Sequence, residues 1–440
     1  MSPAIDRRGL RWLGALVVLL GTAWILWRTV PRIEWRPRQA HSILVMAPRV
    51  TQVGNVDPDS LLRQILSDGR IDEGALAEIE KRGVPSLSAA AEFAAARYEH
   101  EHNRSEQALV HIQRAVAAVP TDPALQTWYA VLLMNSGQTS DAVAHAERAA
   151  QLKPESADVQ RILGQTYYQA DRLEDAVTAW EHSLQLSPDE SVKKLLEKAK
   201  REAAVEGRFT EMNRGHFVLR YEGEGLAGTL SDELFIVLEH DYDELAADLG
   251  LAPKAPITVI FYSAQQFSEV TKSPAWVGAL NDGKMRIPLG KTSSITPELE
   301  SMLRHELTHS FVHAAAPRCP VWLNEGLAQL EEPKSLNVLS ASLGLRVSSS
   351  EFLPLSQLEG SFQGMTPEQA RRAYLESLSA VEYLRSAYGM DGLRRLLASL
   401  ADGEQFEAAL NAATGEGYDD LDQRVKTYAA KQNASDGATQ

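Results

Sequence analysis

The apolar positions change period along the chain, and the changes divide it. From Trp12 to Trp27 no charged residue occurs. As a helix this run would span ~24 Å, close to the ~30 Å hydrocarbon core of a bilayer. Tryptophans at both ends suit the two interfaces, and Arg11 and Arg28 can reach the headgroups. Residues 1–30 thus read as a transmembrane signal anchor; a cleaved signal peptide ending near Gly21-Thr22-Ala23 is the alternative. Residues 31–60, with Pro31, Pro37, Pro48 and Pro58, read as a linker. Helical spacing begins at Leu61 and Ile65, continues through Leu76 and Ile79, and breaks at Gly83-Val84-Pro85. From Ala89 a period of thirty-four takes over. Ala108, Ala142 and Ala176 recur at that interval, as do Pro120, Pro154 and Pro188.

Each such unit, 89–122, 123–156 and 157–190, holds two apolar-periodic helices around a polar turn: Asn103-Arg104, Gly137-Gln138, Asp171-Arg172. Small residues stand at Ala130 and Gly164 and bulky ones at Tyr129, Tyr168 and Trp180. This resembles the tetratricopeptide (TPR) repeats, which implies an all-α solenoid over 61–206. Ser191–Glu206 would be its capping helix, with Lys193, Lys194, Lys198, Lys200 and Arg201 exposed. The resemblance implies a concave face for a protein partner or substrate; a rigid spacer is the competing role.

Beyond residue 210 the pattern mixes. Gly215–Tyr221 alternates as a strand does, Thr229–Leu249 is helix-periodic, and Pro256–Tyr262 is an apolar strand. Asn281-Asp282-Gly283 joins Trp276–Leu280 to Lys284–Pro288 as a hairpin. Thr296, Pro297 and Glu298 announce a helix start, and Leu299, Met302, Leu303, Leu307 and Phe311 carry its stripe. Residues 333–366 read as a long loop, Glu368–Tyr388 as a helix, further helices reach Ala430, and 431–440 as a disordered tail.

The helix after Thr296 contains His305-Glu306-Leu307-Thr308-His309. Residues four apart share a helix face, so both imidazoles point one way and can share one zinc ion. Glu306 is rotated off that axis, placed to take a proton from water at the ion's open position rather than to bind the metal. Glu325, in Trp322-Leu323-Asn324-Glu325-Gly326, is the natural third ligand. His313, another turn on, is ~12 Å of helix rise from His305 and suits the helix C-terminus as a partly charged imidazole. Cys319 sits between prolines and reads as an idle thiol.

These motifs resemble those of the gluzincin metallopeptidases, above all bacterial peptidase MA-like domains, over roughly residues 210–400 of a domain drawn at 210–430. The resemblance implies an α+β thermolysin-like domain binding one Zn2+ through His305, His309 and Glu325, with Glu306 as general base and peptide or protein as substrate. It also implies a tyrosine that stabilises the oxyanion; Tyr374 is assigned, with Tyr383 and Tyr388 nearby. The chain lacks the Gly-x-Met-Glu-Asn segment of the aminopeptidase branch, which favours cleavage within polypeptides. Gln329 stands where the thermolysin branch has an aspartate. The Trp276–Leu280 strand would border the cleft and offer its edge to an extended peptide.

Charge completes the picture. Seven arginines against Asp6 and Glu34 give the first forty residues +5 of the net −15, leaving −20 on the remainder. So acidic a body excludes nucleic acid as partner. A short basic head before a large domain favours a single-pass membrane protein with its bulk outside the cytoplasm. Cys319 alone allows no intrachain disulfide. The competing functional reading is a membrane-tethered adaptor with a silent metal domain, which the intact Glu306 argues against.

Overall fold

The computed structural model describes residues 50–102, 104–223, 229–272, 279–289, 294–332, 352–362 and 365–436. The proposed anchor at 12–27, the linker up to residue 49, Trp276 and most of the predicted loop at 333–366 lie outside them. Among the described residues no helix is long and apolar enough to cross a membrane.

The amino-terminal half is helical. A short helix α1 (Pro58–Ile65), a two-stranded ribbon β1–β2 (Leu66–Ser67, Arg70–Ile71) and α2 (Glu73–Glu80) precede the repeats. The linker reading ends earlier than residue 60: Val53 and Val56 form a bridge, and Val50 and Val53 are buried with Leu61, Ile65 and Phe93. Burial of those valines is what orders the segment. The three units are the pairs α3–α4 (Pro85–Glu101, Ser105–Ala118), α5–α6 (Pro123–Asn135, Thr139–Leu152) and α7–α8 (Ala157–Gln169, Leu173–Leu186). Ala108, Ala142 and Ala176 are all fully buried. Gly164 admits Trp180: a Cβ there would lie 2.5 Å from the indole ring.

The capping helix α9 (Glu190–Glu206) is capped by Asp189. One face packs Val192, Leu196 and Ala199 against Trp180. Of the five residues read as solvated, Lys193, Lys194 and Lys200 are exposed, but Lys198 and Arg201 are half-buried. Lys198 reaches Asp282 (2.6 Å) and Arg201 donates to the Val270 carbonyl (3.4 Å), because their side of the helix lies against a sheet.

That sheet has the order β3-β4-β5-β7-β6, with β3 Thr210–Arg214, β4 Phe217–Tyr221, β5 Ile257–Tyr262, β6 Leu280–Asn281 and β7 Met285–Pro288. Strands β4, β5 and β7 are parallel; β3 and β6 are antiparallel edges. One face, with Phe217, Leu219, Val259, Phe261, Met285 and Ile287, is covered by α10 (Thr229–Leu249) and α12 (Pro297–Ala315). The other face, with Ile260 and Tyr262, is covered by α11 (Ala264–Thr271) and by Val205 of α9. Then α13 (Val321–Glu331), a 3-10 turn Leu355–Leu358, α14 (Pro367–Ala401, bent at Gly389), α15 (Phe406–Thr414) and α16 (Tyr418–Asp436) complete the second half. The predicted tail is helical as far as Asp436, continuing the helix on which Leu421, Val425 and Ala429 are buried.

Candidate metal centre

Helix α12 starts where Thr296 accepts a hydrogen bond from the Leu299 N–H (3.3 Å), with Pro297 at its first position. Leu303, Leu307 and Phe311 bury one stripe in the core. Arg304 fastens the helix to its neighbours, donating to Asp241 (2.9 Å) and Glu244 (2.5 Å) on α10 and to Glu331 (3.1 Å) at the end of α13. His305 and His309 consequently face α13, which returns after the turn at Ala316–Pro320.

On α13, Glu325 directs its carboxylate between the two rings. The Nε2 atoms of His305 and His309 are 3.2 Å apart, and Glu325 Oε2 lies 4.0 Å from the first and 3.7 Å from the second. Three donors around an ion at ~2.0–2.1 Å in tetrahedral array stand about 3.3–3.4 Å from one another. The edge between the two rings matches that size, and the two edges to Glu325 are a few tenths of an ångström longer, so the carboxylate would draw in on binding an ion. His305, His309 and Glu325 form a cluster whose donor atoms all lie within 4.8 Å of one another.

The opposite nitrogens fix the rings. His305 Nδ1 lies 2.7 Å from Glu332 Oε1, and Glu332 also accepts from the Ser301 hydroxyl (3.1 Å). His309 Nδ1 lies 3.0 Å from Asn324 Oδ1. Acceptors at both Nδ1 atoms hold the protons there and turn both Nε2 lone pairs towards Glu325. Sequence reasoning missed Glu332. The signal was present: seven residues after Glu325 is two helical turns, hence the same face.

The charges also suit a dication. Burial alone would lower the affinity of His305 for a proton. The hydrogen bond to Glu332 and the charges of Glu306, Glu325 and Glu332 outweigh it and push its pKa to about 9. Three carboxylates against two imidazoles leave a negative field, and a bound divalent cation would neutralise it. Glu306 is buried beside the triangle without joining it. Burial raises its pKa, opposed by His305 and His309.

Tyr374 lies on α14, whose approach to α13 depends on Gly326. A Cβ at that position would come within 2.3 Å of the Ser377 carbonyl oxygen and 2.5 Å of Val381. Gln329, the departure from the thermolysin pattern, donates to the carbonyls of Glu325 and Tyr374 (both 3.0 Å) and so ties the two helices at the site. The charge of Glu325, then burial, then Glu306 raise the Tyr374 pKa, so its hydroxyl stays a proton donor. The residue is 37% exposed, with Phe362 edge-on to its ring. Tyr383 is instead engaged with Glu416 (3.0 Å) and packs edge-on to Tyr388.

One other reading is corrected, that of His313, and the idle thiol read at Cys319 stands. His313 lies at the end of α12, but burial lowers its pKa, against the charged cap read from the sequence. The Cys319 thiol is pushed up by burial and takes no part in the cluster.

Residues 240–431 match the Peptidase MA superfamily, and residues 136–199 match the tetratricopeptide repeat. No curated protein matches. Among solved structures the chain is similar to the first TPR of Spaghetti bound to an HSP90 peptide (19% identity, 26% of this chain, 93% of that one, TM-score 0.26). It is similar to the Sgt2 TPR domain from Aspergillus fumigatus (19%, 29% and 86%, TM-score 0.26). A TPR protein from Thermus thermophilus is a third (18%, 33% and 81%, TM-score 0.25).

Proposed function

We propose that this chain, which carries a Peptidase MA superfamily domain behind tetratricopeptide repeats, is a zinc-dependent peptidase that cleaves within polypeptides. The observation that carries the reading is the triangle of His305 Nε2, His309 Nε2 and Glu325 Oε2, with a buried, unligating Glu306 next to it. A structural metal site has no use for such a base. A zinc ion held by those three residues would polarise the scissile carbonyl and ease the deprotonation of water. Glu306, its proton affinity raised by burial, accepts the proton of the attacking water and returns it to the leaving nitrogen. The Tyr374 hydroxyl donates to the developing oxyanion. Glu332 and Asn324 keep the imidazoles in register throughout.

We further assign the concave face of the repeats to a protein partner or substrate. Residues 12–27 are assigned to a membrane anchor, with the bulk of the chain extracytoplasmic. The test of the central claim is a Glu306→Gln protein given unfolded casein as substrate. It should keep one equivalent of zinc while cleavage falls by on the order of a hundredfold or more. Cleavage at the unaltered rate would remove Glu306 from the mechanism; no cleavage by the zinc-loaded parent would favour the adaptor reading.

A further inference from the structure

The β6–β7 hairpin is where the repeats and the candidate site meet. On one side, Asn281 Nδ2 donates to the Glu306 carbonyl oxygen and to Ser310 Oγ, both at 2.7 Å. Its Oδ1 accepts the Gly283 N–H (3.1 Å), which locks the turn. On the other side stands Arg286, fully buried. It pairs with Glu202 (3.0 Å) and Glu206 (2.8 Å) of α9 and with Asp282 of its own turn (3.0 Å). Lys198 of α9 takes the same Asp282 at 2.6 Å. Tyr262 donates to Glu206 at 2.5 Å and Tyr168 to Glu202 at 3.0 Å. Lys284 pairs with Asp171 in the turn of the third repeat, and Asp171 also holds Arg220 of β4 at 3.1 Å.

Strand β6 contributes only the pairs Leu280–Arg286 and Asn281–Met285 to the ladder, too few to fix its place. Charges removed from water are tolerated only with their counter-charges in position. The side chains around Arg286 therefore determine where the hairpin lies, and most of the counter-charges belong to the repeats. We propose that Asn281 is a positioning residue for Glu306, and that the helical array holds it there through the ion cluster around Arg286, so the repeats are a working part of the catalytic unit. This rests on the reading of Glu306 as general base.

The test uses the full chain. In Asn281→Ala, kcat on casein should fall by on the order of ten- to a hundredfold with KM and zinc content little changed. Arg286→Met combined with Glu202→Gln and Glu206→Gln removes Arg286 together with both of its partners on α9 and leaves Asp282 paired with Lys198, so the variant should keep the fold. It should lower kcat similarly, and adding Asn281→Ala should cost less than about threefold more, since both act through one contact. Independent, multiplying losses would overturn the proposal. Hydrogen exchange of the α12 amides around Glu306 serves as a readout free of turnover. Faster exchange there in the Arg286 triple variant supports the coupling, and unchanged exchange refutes it. An inactive parent would sink the peptidase reading alone, leaving the exchange result to decide this one.

Discussion

Glu332 shows how much a single carboxylate decides. Glu332→Ala leaves His305 Nδ1 without its acceptor and frees the ring to turn. Zinc affinity should fall about 10–100-fold, measured by competition with a chelator, while the circular dichroism spectrum stays unchanged. Glu376 gives a second prediction. It is buried two residues beyond Tyr374 and accepts the Leu353 N–H on both oxygens (3.1 Å each). Burial pushes its pKa up to about 7, with the Leu353 hydrogen bond and Arg372 opposing. A carboxyl whose pKa is higher in the folded state favours folding when protonated. That contribution is full below the ordinary value of 4.5 and is lost as the pH rises to about 7. Glu376→Gln should therefore raise the melting temperature at pH 8, by an amount corresponding to at most about 3 kcal/mol, and change it little at pH 4.5. Equal shifts at both pH values would refute the assignment.

Elements governed by local pattern were legible in the sequence. The thirty-four-residue period located the paired helices, Thr296-Pro297 located the start of α12, and Asp282-Gly283 located the hairpin turn. Strand β3 was not legible, because both of its faces are largely wet and no alternation marks it. The buried face of α9 was hidden for another reason: Lys198, Glu202 and Glu206 find partners some eighty residues away. Glycine spacing carried a message that only packing reveals. Gly326 sits where α13 and α14 nearly touch, so Gly326→Ala should destabilise the protein by about 1–3 kcal/mol through overpacking. Urea titration measures this, and a cost within about 0.5 kcal/mol, the usual range for a surface change, would mean that the helices part without penalty.

At the scale of the molecule, α9 belongs to two cores at once: Val192, Leu196 and Ala199 to the repeats, Val205 and Glu206 to the sheet. A fragment beginning at residue 210 would strip Arg286 of Glu202 and Glu206 and remove Val205 and Phe209 from the cover over Ile260 and Tyr262. Removing one side of a buried ion pair costs about 3–5 kcal/mol, so this fragment should be unfolded or insoluble where the chain from residue 50 melts cooperatively. A well-folded fragment with the parent's melting temperature would contradict that. The matched superfamily span, 240–431, is accordingly narrower than the unit that folds.

Asp171 adds a constraint on how such a chain can grow. It occupies a left-handed turn (φ 61°) and holds Lys284 and Arg220 from the sheet, while α9 is wedged directly behind it. The carboxy-terminal end of the array is thus welded in place. An extra thirty-four-residue unit inserted between the third repeat and α9 would carry Asp171 about one repeat's width from its cations. The same unit added between the first and second repeats would leave every contact to the sheet intact. Lengthening is open only towards the amino terminus, where it would part His100 from the charge of Arg318 but leave the ion pairs at the base of the array in place.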